Sequence, residues 1–133
     1  MADRPAPGVD VVGVLLAAQG VILVGLSVFM LVAPGAFFEA VGPFGERNDH
    51  YTRDAATFQL ALGVLAIVAA RRPVLRMVTI AVLALQFLLH LVNHLVDLDE
   101  AVSRSVGVVD AVALALGLGL LAWMALLERR AHR

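Results

Sequence analysis

Residues 11–33 read VVGVLLAAQGVILVGLSVFMLVA, 23 positions without one charged side chain. About 20 apolar residues in helical conformation cross a hydrocarbon core roughly 30 Å thick, so this stretch is long enough to span a membrane. It exceeds the ~7–15 residues of a signal-peptide apolar region, and the preceding MADRPAPGVD has acidic residues and no basic n-region. The stretch therefore reads as a permanent span.

Composition extends that reading to the whole chain. The 133 residues are 61% hydrophobic, with a mean hydropathy of +0.90. A soluble domain runs at about 45–50% apolar, and the excess does not fit in one small core. The length suits a single domain, residues 1–133. A net charge of −1 gives no basic surface for nucleic acid. The absence of cysteine excludes disulfides, thiolate metal ligands and a cysteine nucleophile. All ten basic residues are arginine, and Ala, Val, Leu and Gly are abundant, the composition of a GC-rich bacterial genome.

Three more spans follow, at about 54–71, 74–96 and 106–127. The second has only 16 uncharged residues, 55–70, about 24 Å of helix. It borrows length from Thr52–Asp54, and Arg71 can snorkel at its other end. Pro73 suits the first turn of the third span, and Asp110 lies near the start of the fourth. The expected fold is all-α, a polytopic four-transmembrane-helix antiparallel bundle. A short interfacial helix is expected in PGAFFEAV, residues 34–41, with turns after it in GPFGERND. Seven arginines (4, 71, 72, 76, 129, 130, 133) fall on one side and three (47, 53, 104) on the other. Positive charge accumulates on the cytoplasmic side, so both termini are expected to be cytoplasmic, with the chain in a bacterial inner membrane.

Helix association in lipid relies on small residues and interhelical hydrogen bonds. Four-residue spacing picks out Ala111, Ala115 and Gly119 in the fourth span, Gly13 and Ala17 in the first, and Ala66 and Ala70 in the second. Gln19, Gln59 and Gln86 all fall roughly 13–18 Å from the inner boundary. An amide facing lipid there would be unsatisfied, so the three are expected to point inward, as interhelical glue or as the lining of a cavity for a lipid-soluble ligand.

The third span ends in HLVNHLVDLDE, residues 90–100. At about 100° per residue, Gln86, His90, Asn93, His94 and Asp97 form one polar stripe. The first loop brings NDHYTRD, with Asp49, His50, Arg53 and Asp54, to the same side, and Asp110 opens the fourth span at that level. Candidate acid–base residues are His50, Asp54, His90, His94 and Asp97. Histidines four apart on a helix face can both reach one ion. His50, His90, His94 and Asp54 are thus the candidate ligands of a zinc or iron site. The alternative is a hydrogen-bonded network that caps helix ends or handles protons, and His50 is expected to approach the His90/His94 face in either case.

The stretch PFGERNDHYTRDAATFQLALGVLAIVAARRP, residues 43–73, resembles the small four-helix bacterial membrane proteins grouped as DoxX-like. The most specific part is Asn48, His50, Arg53 and Asp54 opening a helix with LALGV, and HLVNH before the third loop agrees with it. The resemblance implies four membrane helices and supplies neither an activity nor catalytic residues. Three functional readings stand. The favoured one is a non-catalytic accessory protein or lipid- or quinone-binding bundle, with a membrane-protein partner or further copies of itself. The others are a small membrane enzyme acting on a lipid-soluble substrate through the His/Asp cluster, and an oligomeric proton-coupled transporter.

Overall fold

The computed structural model describes residues 9–131; Arg4 and Arg133, which enter the charge count above, lie outside them. The order is α1 (Val11–Val32), α2 (Pro34–Ala40), α3 (Asp49–Ala70), α4 (Pro73–Val96), a 3-10 turn (Leu98–Glu100) and α5 (Arg104–Ala131). At 1.5 Å per residue the four long helices measure about 33, 33, 36 and 42 Å, each long enough to cross a hydrocarbon core. All four are also apolar enough to do so. The expected all-α four-helix membrane bundle is the observed one.

Capping explains where the helices begin. Asp10 accepts from the Gly13 N–H at 3.0 Å and starts α1. Asn48 accepts from the N–H groups of His50 and Tyr51, at 3.1 and 3.2 Å, and starts α3. NDHYTRD is therefore the cap and first turns of a 22-residue helix rather than a loop returning to the membrane. The span takes in Thr52–Asp54, as expected, and reaches further out to Asp49. Pro73 occupies the first turn of α4, as its missing N–H allows. Ser103 Oγ accepts from the Val106 N–H at 3.3 Å at the start of α5.

The tightest pair is α1 with α3, followed by α4 with α5, whereas α1 and α5 touch only slightly. Two glycines set the α1–α3 distance. A Cβ on Gly20 would lie 2.7 Å from the Gly63 carbonyl oxygen and 2.6 Å from Ile67 Cγ1. A Cβ on Gly63 would lie 3.0 Å from the Gly20 carbonyl oxygen. The two backbones are in contact, the small-residue packing that lipid-embedded helices favour. In an antiparallel pair, seven residues along each helix is about two turns and restores the same face. That register sets Ser27 opposite Ala56 and Gly13 opposite Ala70. Ser27 and Ala56 are both fully buried, and the Ser27 hydroxyl donates within its own helix to the Leu23 carbonyl at 2.7 Å.

The four-residue stripe expected in α5 is not the packed face. Ala111 is buried, but Ala115 and Gly119 are exposed, and a Cβ on Gly119 would meet nothing within 4 Å. Steps of four residues drift about 40° each around a helix, so a stripe three members long leaves the interface. The inward face instead runs through Ala111, Leu121, Met124 and Glu128, and Gly117 admits the Phe87 ring, whose Cδ1 would lie 2.8 Å from an added Cβ.

The first and third loops are joined. Phe44 and Ala101 form an antiparallel bridge. The Gly45 N–H donates to the Glu100 carbonyl and the Val102 N–H to the Pro43 carbonyl, each at 3.0 Å. Gly45 sits at φ 58°, a left-handed conformation that suits glycine. The bridge fixes α2 and its loop against the start of α5.

Candidate functional site

Polar groups collect at both ends of the bundle. At the His94 end, His90 and His94 lie one turn apart on α4 with their Nε2 atoms 3.1 Å from each other. Phe44, held by the loop bridge, packs edge-on against the His94 ring with centroids 4.4 Å apart. A neutral imidazole has one N–H and one bare nitrogen. If His94 donates through Nε2, its Nδ1 is a lone pair; if it accepts there, its Nδ1 carries the hydrogen. In both cases Nδ1 needs a partner, and it is buried without one. Asp110, within electrostatic range of His90, likewise has Oδ2 buried without a partner. Asp110 stands six residues into α5, about 9 Å along the helix from Arg104. A buried polar atom left unmet costs about 1–3 kcal/mol, and of the three such side-chain atoms among the described residues only Thr79 Oγ1 belongs elsewhere on α4.

The other sequence candidates separate from this layer. The contacts of His50 are with Asp54, Nε2 to Oδ2 at 3.4 Å, and with the Tyr51 ring. The His50 and Asp54 side chains are 81% and 55% exposed, on the open side of the first turn of α3. Asp97 is exposed at the C-terminus of α4, where its backbone N–H bonds to Asn93. Among the described residues no group of three or more His, Asp or Glu side chains is placed to hold a metal ion. The set His50, His90, His94 and Asp54 is therefore not gathered about one point. The His90/His94 nitrogens alone are near the ~3.4 Å that two imidazoles on one tetrahedral zinc would show, given bonds of about 2.0–2.1 Å.

The glutamines are all half-buried. Gln59 reaches Met30 Sδ at 4.0 Å. None of the three lines either of the two grooves described below.

The opposite end holds a cluster that sequence reasoning treated only as a topology marker. Arg76, 7% exposed, donates from Nη1 to Asp10 Oδ1 at 2.9 Å and from Nη2 to Asp10 Oδ2. It also donates from Nη2 to the Ala70 carbonyl at 2.8 Å and from Nε to the Ala69 carbonyl at 3.4 Å. Glu128 Oε2 on α5 lies 3.8 Å from Nη1. The last carbonyls of a helix lack intrahelical donors and carry partial negative charge, so the guanidinium completes the end of α3 while bridging α1 and α5. The Arg76 guanidinium, with the Gly13 N–H, holds the Asp10 carboxyl below the usual carboxylate range. An open groove of about 380 Å³ borders this clasp, with Val9 and Ala131 among its walls, so both ends of the described chain lie at one end of the bundle.

Four apolar spans, with a clasp at one end and a polar layer at the other, define an all-α integral membrane protein over the described residues. No family model, no curated protein and no solved structure matches the chain.

Proposed function

We propose that this chain is a non-catalytic protein of the bacterial cytoplasmic membrane that binds a lipid or quinone-type molecule at its His94 end, alone or as an accessory to a larger membrane assembly. The observation that carries the reading is that two of the three buried, unpartnered side-chain atoms among the described residues, His94 Nδ1 and Asp110 Oδ2, belong to this end, the third being Thr79 Oγ1 on α4. Both lie where a polar head meets apolar tails. Four of the five candidate acid–base groups fall into two pairs, His50/Asp54 and His90/His94, and Asp97 is exposed apart from them, which favours binding over catalysis. Orientation follows from the arginines: 71, 72, 76, 129 and 130 gather at the Arg76 end against 47, 53 and 104 at the other, so the Arg76 end faces the cytoplasm. Kinship with DoxX-like proteins, on Asn48, His50, Arg53 and Asp54, is in keeping with this reading and assigns no activity.

The test is calorimetric titration of the purified protein in detergent with a decyl-benzoquinone and with short-chain phospholipids. At least one of them binds saturably, near one per chain, and His94→Phe, which keeps a ring against Phe44, weakens it tenfold or more. Uptake that never saturates above partitioning into empty micelles overturns the proposal.

A further inference from the structure

A second open groove of about 380 Å³ lies between α2, its following loop and the first turns of α5. Its size is at the lower end of small-molecule sites, about 300–1,000 Å³. Val41, Pro43, Val102 and Val106 give it an apolar wall, and Glu39 and Asp110 are its charged members; among the described residues no basic side chain lines it. Asp110 is one of its lining residues, and its Oδ2 atom is buried with no donor among the described residues. Charges facing these carboxylates are few. His90 is within electrostatic range of Asp110. Arg47 acts on Glu39 but is engaged by Asp49, with two hydrogen bonds of 2.7 and 3.0 Å.

We infer that this groove holds the head of an amphiphile bearing a primary ammonium group, with Asp110 as its ion-pairing carboxylate and the valine wall against its alkyl chain. The inference rests on the reading that the His94 end binds a lipid-soluble molecule, and it selects among such molecules. A quinone offers carbonyl acceptors, which would face the acceptor oxygens of two carboxylates. An alcohol offers one donor and no charge. A primary ammonium offers three N–H donors and the opposite charge, and a charge-assisted hydrogen bond is roughly twice as strong as a neutral one. The depth agrees: Asp110 is about 9 Å inside a helix some 42 Å long, near the boundary where a headgroup joins its chain. A free long-chain amine and an ethanolamine phospholipid both carry this chemistry.

The test is equilibrium binding to the full chain in phosphatidylcholine nanodiscs, corrected with empty discs. The probes are radiolabelled dodecylamine, dodecanol, dodecyltrimethylammonium and decyl-benzoquinone. Dodecylamine is expected to saturate near one per chain and to bind at least tenfold tighter than dodecanol or the quaternary amine. Asp110→Asn, close in shape, should weaken it at least tenfold. Val106→Trp, which fills the groove and leaves the carboxylate, should weaken it too and serves if Asp110→Asn does not fold. Displacement of dodecylamine by discs containing phosphatidylethanolamine identifies the occupant as a lipid headgroup, and failure to displace identifies it as a free amine; both support the inference. Equal binding of dodecanol or the quaternary amine, or an Asp110→Asn protein that binds as wild type, overturns the ammonium site. In that event saturable quinone binding would leave the broader proposal standing, whereas no saturable binding of any probe or lipid removes both.

Discussion

Replacing Arg76 with methionine tests how the two halves of the bundle are held. Two acidic partners compete for the credit. Asp10 is the closer, gripped by both terminal nitrogens, but its side chain is 56% exposed. Glu128 is farther, at 3.8 Å, but only 5% exposed. An exposed pair is worth about 1 kcal/mol or less because water and salt screen it. Removing one member of a buried pair costs about 3–5 kcal/mol, since the other is left in a low-dielectric site. The burial of Glu128, rather than the short Asp10 contact, therefore sets the scale. Arg76→Met is expected to destabilise by about 3–5 kcal/mol and Asp10→Asn by about 1 kcal/mol or less. Arg76→Met/Glu128→Met should recover at least half of the single-variant loss, because apolar replacement of a whole buried pair is often neutral. The assay is SDS titration in mixed micelles followed by far-ultraviolet circular dichroism. The chain has no cysteine, so Val11→Cys/Ala131→Cys supplies the only thiols, and their cross-linking yield reports whether α1 and α5 stay together. An Asp10→Asn loss equal to that of Arg76→Met, or no recovery in the double variant, would refute the reasoning from burial.

Gly20→Ala places a methyl against the Gly63 carbonyl and should cost about 1–3 kcal/mol by overpacking, whereas Gly119→Ala, with open space around it, should stay within about 0.5 kcal/mol of wild type; SDS titration separates them. Asn48→Ala removes the cap of α3 and about 1 kcal/mol, read as faster amide exchange at His50 and Tyr51 with the rest of α3 unchanged. The lowered pKa of Asp10 means that its contribution is complete above the unfolded carboxylate value of about 3.9 and is lost as pH falls through the folded value. Wild type should accordingly begin to lose its advantage over Asp10→Asn below pH ~4 and converge on it as pH falls through the lowered folded value, checked by thermal unfolding from pH 6 to 2.5, and parallel curves would count against the link.

The four spans were legible because a membrane imposes a length and a composition that no local detail can hide. The 34–41 segment announced its short helix through Pro34 and the paired phenylalanines, and α2 is there. What stayed hidden depended on which residues meet across the bundle. Arg76 looked like one more charge beside Arg71 and Arg72, since its partners Asp10 and Glu128 are remote in sequence. A signal was present: Arg76 follows Pro73 inside an otherwise apolar helix turn, where a charge needs a partner. Gly20 and Gly63 fall outside the four-residue stripes, whereas Gly13, Gly20 and Ser27 recur every seven residues, as do Ala56, Gly63 and Ala70. A seven-residue repeat holds a face that a four-residue repeat loses. In the polar layer, helix rise puts His90, His94 and Asp110 at one depth, but it puts His50 there too. The capping by Asn48 extends α3 outward and leaves His50 on its open side, a difference of rotation that depth alone does not report.

The central claim is the proposal that the His94 end binds a lipid-soluble molecule. Nitrogen-15 magnetic resonance of histidine-labelled protein in bilayers addresses it directly. On titration with whichever lipid-soluble probe binds in the assays above, the His94 Nδ1 resonance should move saturably and report a new hydrogen bond, with a smaller change at His90 and none at His50. Movement of His50 alone, or no movement of His94 while the probe binds saturably, would contradict the account.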